Sequence, residues 1–262
     1  MERGPILSDR VRTENWPSYL RSFHAERSGV TETILDQALL DGRTPYHWLA
    51  DVVEGHRVLD LACGSAPMAL LLHDRLVAAT DVSVEELAVA SRRLPGRVAQ
   101  ARAEQCPVRT GSVDTVVCSM AMMLMTPIAP VTDEIVRVLA PGGSVAALLP
   151  ALSPLDVRDR VRYARLLLAV RRRRIPFPSY GVVARGIGSE FERVGLHIER
   201  NDRARFRYAI TDDNAADDWL GSLYLPGTNT REMERGRRIA RRWVGTELGI
   251  PLRRVVARLR SV

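Results

Sequence analysis

The segment Val58-Leu-Asp-Leu-Ala-Cys-Gly-Ser-Ala-Pro67 decides the fold. An apolar run that ends in an acid and turns through small residues reads as a buried strand, here over 56–62, with a short helix over 67–74 behind it. Ala62, Gly64 and Ala66 let a ligand approach the backbone, and the first N–H groups of the helix would point to the same place. The segment does not fit the dinucleotide fingerprint G-x-G-x-x-G, because of these three small residues only Gly64 is glycine.

Outward from this turn, β-type runs alternate with helical patterns. Strands are predicted over 77–81, 97–102, 113–119 and 144–149, helices over 84–94 and 131–139, and a turn at Pro141-Gly142-Gly143. Such alternation implies right-handed crossovers and a parallel sheet with helices on both faces. Ligands of such sheets bind beyond the carboxyl ends of the strands. Asp81 ends the second strand, where an acid can accept hydrogen bonds from both hydroxyls of a ribose; Ser83 is the better cap for the helix at 84–94.

A helical region over 30–50 precedes this core, with Thr31 as its cap and Gly42 and Pro45 as breaks. After the core, 156–174 reads as one amphipathic helix, with Val157, Val161, Ala164 and Leu168 on its apolar side and Arg158, Arg162, Arg165 and Arg172 on the other. The run Arg171 to Arg174 stops at Pro176 and Pro178. Strands are expected at 195–199 and 205–210 and helix across 212–249, while 252–259 fits strand or helix equally.

The 262 residues are 46% apolar and 26% charged, a globular composition. No apolar run approaches the roughly 20 residues of a bilayer span, and no signal-peptide core is present near the start, so an intracellular, cytoplasmic protein without a membrane partner is expected. Cys63, Cys106 and Cys118 suggest neither a disulfide framework nor a zinc site, and no metal is expected. All 38 basic residues are Arg, and the net charge of +7 is unevenly divided. Residues 1–150 carry 14 Arg against 18 acids, a net of −4, and residues 151–262 carry 24 against 13, a net of +11. A basic half of this kind would suit nucleic acid, an anionic ligand or plain solvation.

The series VLDLACGSAP, ATDVS, RAEQCPVRTGSVDTVVCSMAMM and EIVRVLAPGG resembles the class I S-adenosylmethionine-dependent methyltransferases, in particular their small-molecule subgroup. The resemblance covers residues 45–150, and RVLAPGG at 137–143 is its most specific part. It implies an α/β, Rossmann-like, mostly parallel seven-stranded sheet with an antiparallel final strand. Around it would stand a helical N-terminal lid (1–45), a cofactor-binding core (46–150) and a C-terminal part (151–262) that completes the sheet and selects the acceptor. The implied cofactor is S-adenosylmethionine, with S-adenosylhomocysteine as product. Asp60, Ala62 and Gly64 would line its methionine end, Asp81 its ribose, and Val82, Ala103 and Glu104 its adenine. Ser119 and Met120 would lie beneath the sulfonium. Alanine replaces the glycine usual at 62 and 66, and Arg102 stands where an acid often precedes Ala103. From the lid, Arg27 and Tyr46 are expected to hold the cofactor carboxylate, and His24 is the candidate base.

The implied activity is methyl transfer to an oxygen or nitrogen of a small organic acceptor, a specialised metabolite. Trp219, Tyr224, Tyr180 and Met123 are the expected acceptor contacts. CSMAMM at 118–123 lacks the Asn/Asp-Pro-Pro-Tyr/Phe loop that related enzymes use to methylate base amino groups. The alternatives are an rRNA or tRNA methyltransferase gripping phosphates with its basic C-terminal part, and a relative that binds the cofactor without methylating. Oligomeric state is left open.

Overall fold

A computed structural model describes residues 16–260. The lid begins with α1 (Trp16–Glu26) and α2 (Val30–Asp36), followed by the two-residue strand β1 (Ala38–Leu39) and α3 (Pro45–Ala50). Residues 1–15 of the expected lid lie outside the described residues. Thr31 does not cap α2. The cap position is Gly29, whose φ of 74° suits glycine and whose N–H is held by the Glu86 carboxylate at 3.0 Å. α3 starts at Pro45 behind Thr44, whose hydroxyl accepts the His47 N–H.

The alternation then follows as expected: β2 (Val58–Leu61), α4 (Ala69–Leu72), β3 (Leu76–Asp81), α5 (Val84–Arg93), β4 (Val98–Gln100), β5 (Val113–Ser119), α6 (Ala129–Val138) and β6 (Leu139–Pro150). Ser83 is the cap of α5. The C-terminal part adds α7 (Val157–Ala169), α8 (Tyr180–Ala184), α9 (Gly188–Arg193), β7 (Leu196–Ile210), α10 (Asp213–Gly221), α11 (Thr230–Arg241) and β8 (Thr246–Leu259).

The sheet order is β1-β7-β8-β6-β5-β2-β3-β4. β8 runs antiparallel to both neighbours, β6 and β7, and β2 to β6 are mutually parallel. This is the Rossmann-like arrangement with its antiparallel last strand, but the sheet has eight strands. The extra one, β1, comes from the lid and pairs antiparallel with the outer edge of β7. Alternate strand residues feed two cores, one per face: Ala146, Leu148 and Val256 on one, Val145, Ala147 and Val255 on the other.

Three C-terminal expectations are corrected. The two short strands are one, β7, because pairing with β8 continues through its polar middle past an irregularity between Ile198 and Arg200. The helical stretch 212–249 is two helices and the start of β8, and 252–259 is strand. On α7 the expected apolar side faces out: Val157 is 74% and Leu168 71% exposed. The inward line is Asp159, Tyr163, Leu166 and Val170, which keeps helical spacing equally well. The Asp159 carboxylate fixes that rotation by accepting Arg205 Nε at 2.6 Å and the Gly249 N–H at 2.9 Å. Burial would raise its pKa, yet these partners hold it below the ordinary carboxylate range.

Candidate active site

Three parallel strands deliver polar groups to one crevice. β2 brings Asp60, β3 brings Asp81, and β5 brings Ser119, each at or beside the strand's carboxyl end. The turn after β2 is left-handed at three alternate positions, Ala62 (φ 54°), Gly64 (φ 55°) and Ala66 (φ 59°). Two are alanines, so the turn carries backbone strain of about 1 kcal/mol or more at each. Asp81 braces the turn: its carboxylate accepts the Gly64 N–H and the Ser83 N–H, each at 2.8 Å. A carboxylate has about four acceptor positions, so two remain for a ligand's hydroxyls.

Asp60 is 1% exposed, and neither of its oxygens has a hydrogen-bond partner among the described residues. Burial, and after it the Asp81 charge, pushes its carboxyl up to about 8. A buried unpaired carboxyl costs stability unless a donor arrives, and a cationic ligand group is the donor that suits it best. The Ser119 hydroxyl is also buried without a partner.

These groups line a cavity of about 630 Å³ with Ala62, Gly64, Val82, Ala103 and Glu104. Arg102 shares that wall and donates to the Glu104 carboxylate at 2.6 Å, so an acid is present there although the preceding position holds arginine. Tyr46 closes one side, and burial beside four acids keeps its hydroxyl protonated. From α1, His24 reaches the cavity with Nδ1 3.1 Å from Glu86 Oε1. Arg27 does not line this cavity. Its side chain lies on the surface over the Phe23 ring and donates to the Gly221 carbonyl, because the last turn of α1 points it away from the strand ends.

A second cavity of about 330 Å³ adjoins the first and is walled by Trp219, Tyr180, Met123 and Phe177. Thr31, Met120 and Tyr224 line both. The two cavities therefore meet at the end of β5, where Met120 turns the chain at φ 56°. Trp219 is also core, its ring edge-on to Tyr163 and Trp243, so packing and cavity lining are one role.

Residues 59–147 match the family described as "Methyltransferase domain". Over that stretch, about a third of its length, the chain is similar to methyltransferases. Two curated relatives are ubiquinone/menaquinone biosynthesis C-methyltransferases. That of Rubrivivax gelatinosus is 38% identical over 98 residues, 36% of this chain and 39% of the relative. That of Nitrosospira multiformis is 29% identical over 153 residues, 47% of this chain and 63% of the relative. The chain thus matches less than two thirds of either relative's length. Among solved structures, the [4+2]-cyclase SpnF shares the fold over 93% of this chain and 96% of its own, with a TM-score of 0.57 at 15% identity. That likeness concerns the fold alone.

Within this site, the sequence missed the junction residue Thr31 and the acid Glu86. Ser83-Val-Glu-Glu86 has the spacing of a capping box. The Glu86 carboxylate instead turns to His24 and the Gly29 N–H, tying lid to core. A second tie joins Glu32 of α2 to Arg93 at 2.8 Å. Among the described residues no group of three or more His, Cys, Asp or Glu side chains is placed to hold a metal, and no helix is long and apolar enough to cross a membrane.

The C-terminal arginines are spread over many partners of the chain's own. Arg258 pairs with Glu54 and Glu199, Arg241 with Asp217, and Arg254 with Asp202 while stacking on Trp48. Arg172 and Arg235 donate to backbone carbonyls.

Proposed function

We propose that this protein is an S-adenosylmethionine-dependent methyltransferase acting on a small organic acceptor, with the donor in the larger cavity and the acceptor in the smaller. The observation that carries the reading is their junction at Thr31, Met120 and Tyr224, beside a buried carboxyl that lacks a partner. When bound, S-adenosylmethionine supplies a methyl group on a cationic sulfur and leaves as S-adenosylhomocysteine. Asp60 would accept the ammonium end, directly or through water, and Asp81 the ribose hydroxyls. Val82, Ala103 and Glu104 would border the adenine, and Ser119 and Met120 would lie under the sulfonium.

Alignment and exclusion of water are the main contributions asked of the protein. Phe23 of α1 packs on Tyr224 with ring centroids 4.6 Å apart and closes the junction from outside. The proposed acceptor atom is oxygen or nitrogen of a specialised metabolite. For a hydroxyl acceptor, His24 would take the proton, with Glu86 orienting its ring. A small acceptor is favoured over RNA because so many C-terminal arginines already serve internal partners and the second cavity is almost wholly apolar. A cytoplasmic location fits such substrates.

Calorimetry with S-adenosylmethionine and S-adenosylhomocysteine tests the donor half, and binding of both is expected. The acceptor half is tested by methyl transfer from labelled donor into a small-molecule extract and into total RNA. Label in RNA alone would overturn the acceptor assignment, and no binding of either cofactor form would overturn the whole reading. The position of the label in the product separates oxygen or nitrogen from the carbon named for the two relatives.

A further inference from the structure

The smaller cavity carries its charge at one end only. Among the described residues its walls contain no Asp, Glu or His, and their only charged members are Arg173 and Arg174. Both belong to the segment after α7, where Arg171 turns the chain at φ 53°, and both are exposed, so they mark the mouth. Neither lines the larger cavity, whereas Thr31, Met120 and Tyr224 line both. The two arginines therefore stand apart from the junction that joins the smaller cavity to the larger.

Arg174 makes no ion pair among the described residues. Its guanidinium sits 3.9 Å from the centroid of the Tyr180 ring, another wall of the cavity. Stacking holds the planar group in place by its face and leaves its in-plane donors for a ligand, the geometry that binds carboxylate or phosphate in a bidentate way. The sequence reading left open whether the 171–174 run faces a ligand or water. Arg172 is spent on the Pro226 carbonyl, and of Arg173 and Arg174, which both line the cavity, Arg174 is the one stacked on a ring of its wall.

We infer that the acceptor is an amphipathic anion: an apolar body filling the chamber, a carboxylate or phosphate at Arg174, and the methylated atom at the opposite end near Met120 and Tyr224. This rests on the reading of the smaller cavity as the acceptor site. The rest of the wall is mostly aliphatic and aromatic, as at Leu167, Phe177 and Leu252, and its Ser222 and Tyr163 hydroxyls already donate to the Trp219 and Gly249 carbonyls, so a polar middle would lose hydration with little replacement.

The test uses the full chain, with decanoate, decyl phosphate and decan-1-ol as probes, titrated with and without S-adenosylhomocysteine. The expected result is binding of one or both anions at least tenfold tighter than the alcohol. Arg174→Gln should remove that preference and Arg174→Lys keep part of it. Leu152→Asp, at an exposed position of the same wall, should weaken the anions and leave the alcohol unchanged. The ratio of decanoate to decyl phosphate identifies the head group. Equal affinity for anions and alcohol, no binding of any probe, or a preference that survives Arg174→Gln would overturn the inference. Cofactor binding measured on the same samples keeps the two readings apart: intact cofactor binding with no anion preference sinks only this one.

Discussion

The two cavities are built by opposite means. The larger is made at the ends of parallel strands, where buried acids and turning backbone present polar groups that their own chain only partly satisfies. The smaller is made by side chains from the lid, from the segments after β6 and α7, from α10 and from Ile250 to Leu252 of β8, and is mostly apolar apart from two exposed arginines. A site built from strand ends is tied to the sheet and its chemistry is fixed by a few short segments. One lined mainly by side chains can change its ligand by changing them, since few backbone hydrogen bonds depend on them.

The sharpest way to break this contrast is Asp81→Ala. It removes the brace on Gly64 and Ser83 together with the proposed ribose acceptors, so S-adenosylmethionine affinity should fall about 100-fold, roughly 3 kcal/mol, while the decyl probes bind as before. Loss of both by calorimetry would mean that the cavities are not independent.

Next in size is a pH effect. With Asp60 titrating near 8, the free protein carries it largely protonated at neutral pH, and a bound ammonium would draw it into the charged form. Affinity for S-adenosylmethionine should then rise with pH from 6 towards 8, by up to about tenfold per unit, and flatten above. Because the folded pKa is raised, the group's stabilising contribution is full below about pH 4 and is lost as pH rises through 8. Stability of the free protein should fall across that window by up to about 1.4 kcal/mol per unit. Asp60→Asn should abolish both slopes, as read by titration calorimetry and by denaturant melts at several pH values.

A smaller gain is expected from Ala62→Gly. Relief of the left-handed strain outweighs the added freedom of the unfolded chain, giving about 0.5 kcal/mol and a rise in Tm of one or two degrees. Smallest of all, Leu168→Ser should change stability by less than about 0.5 kcal/mol, whereas Leu166→Ala, two residues away on the buried side, should cost about 2–5 kcal/mol. Similar costs for the two would mean that α7 is rotated from the position described.

The halves of the chain also differ in how much of them could be read. From 58 to 150, every strand and helix lies within a few residues of its expected place, because local signals agreed there: apolar runs of strand length, an acid or serine at their ends, and a cap such as Ser83 at the next helix. After residue 150 they did not agree. α7 offers two lines of residues at helical spacing, and Val157-Val161-Ala164-Leu168 is the more apolar, yet a buried ion pair between Asp159 and Arg205, 46 residues apart, turns the other line inward. β7 reads as broken because its middle is polar, and long-range pairing with β8 carries it through. Arg27, expected at the crevice, lies off it and Glu86, for which the sequence held no expectation, lines it, for a similar reason: which side chains near α1 and α5 reach the crevice depends on how the lid packs over the strands.

The order of elements from 58 to 150, the acids at the strand ends and the resemblance to methyltransferases were thus written in short contiguous segments, whose physics is local. The meeting of two cavities at Thr31, Met120 and Tyr224 was not, since these residues stand on the lid, the sheet and a C-terminal helix exit. Only the packing of all three around one point joins the two cavities and sets Arg173 and Arg174, out of a diffuse excess of arginine, on the wall of one of them.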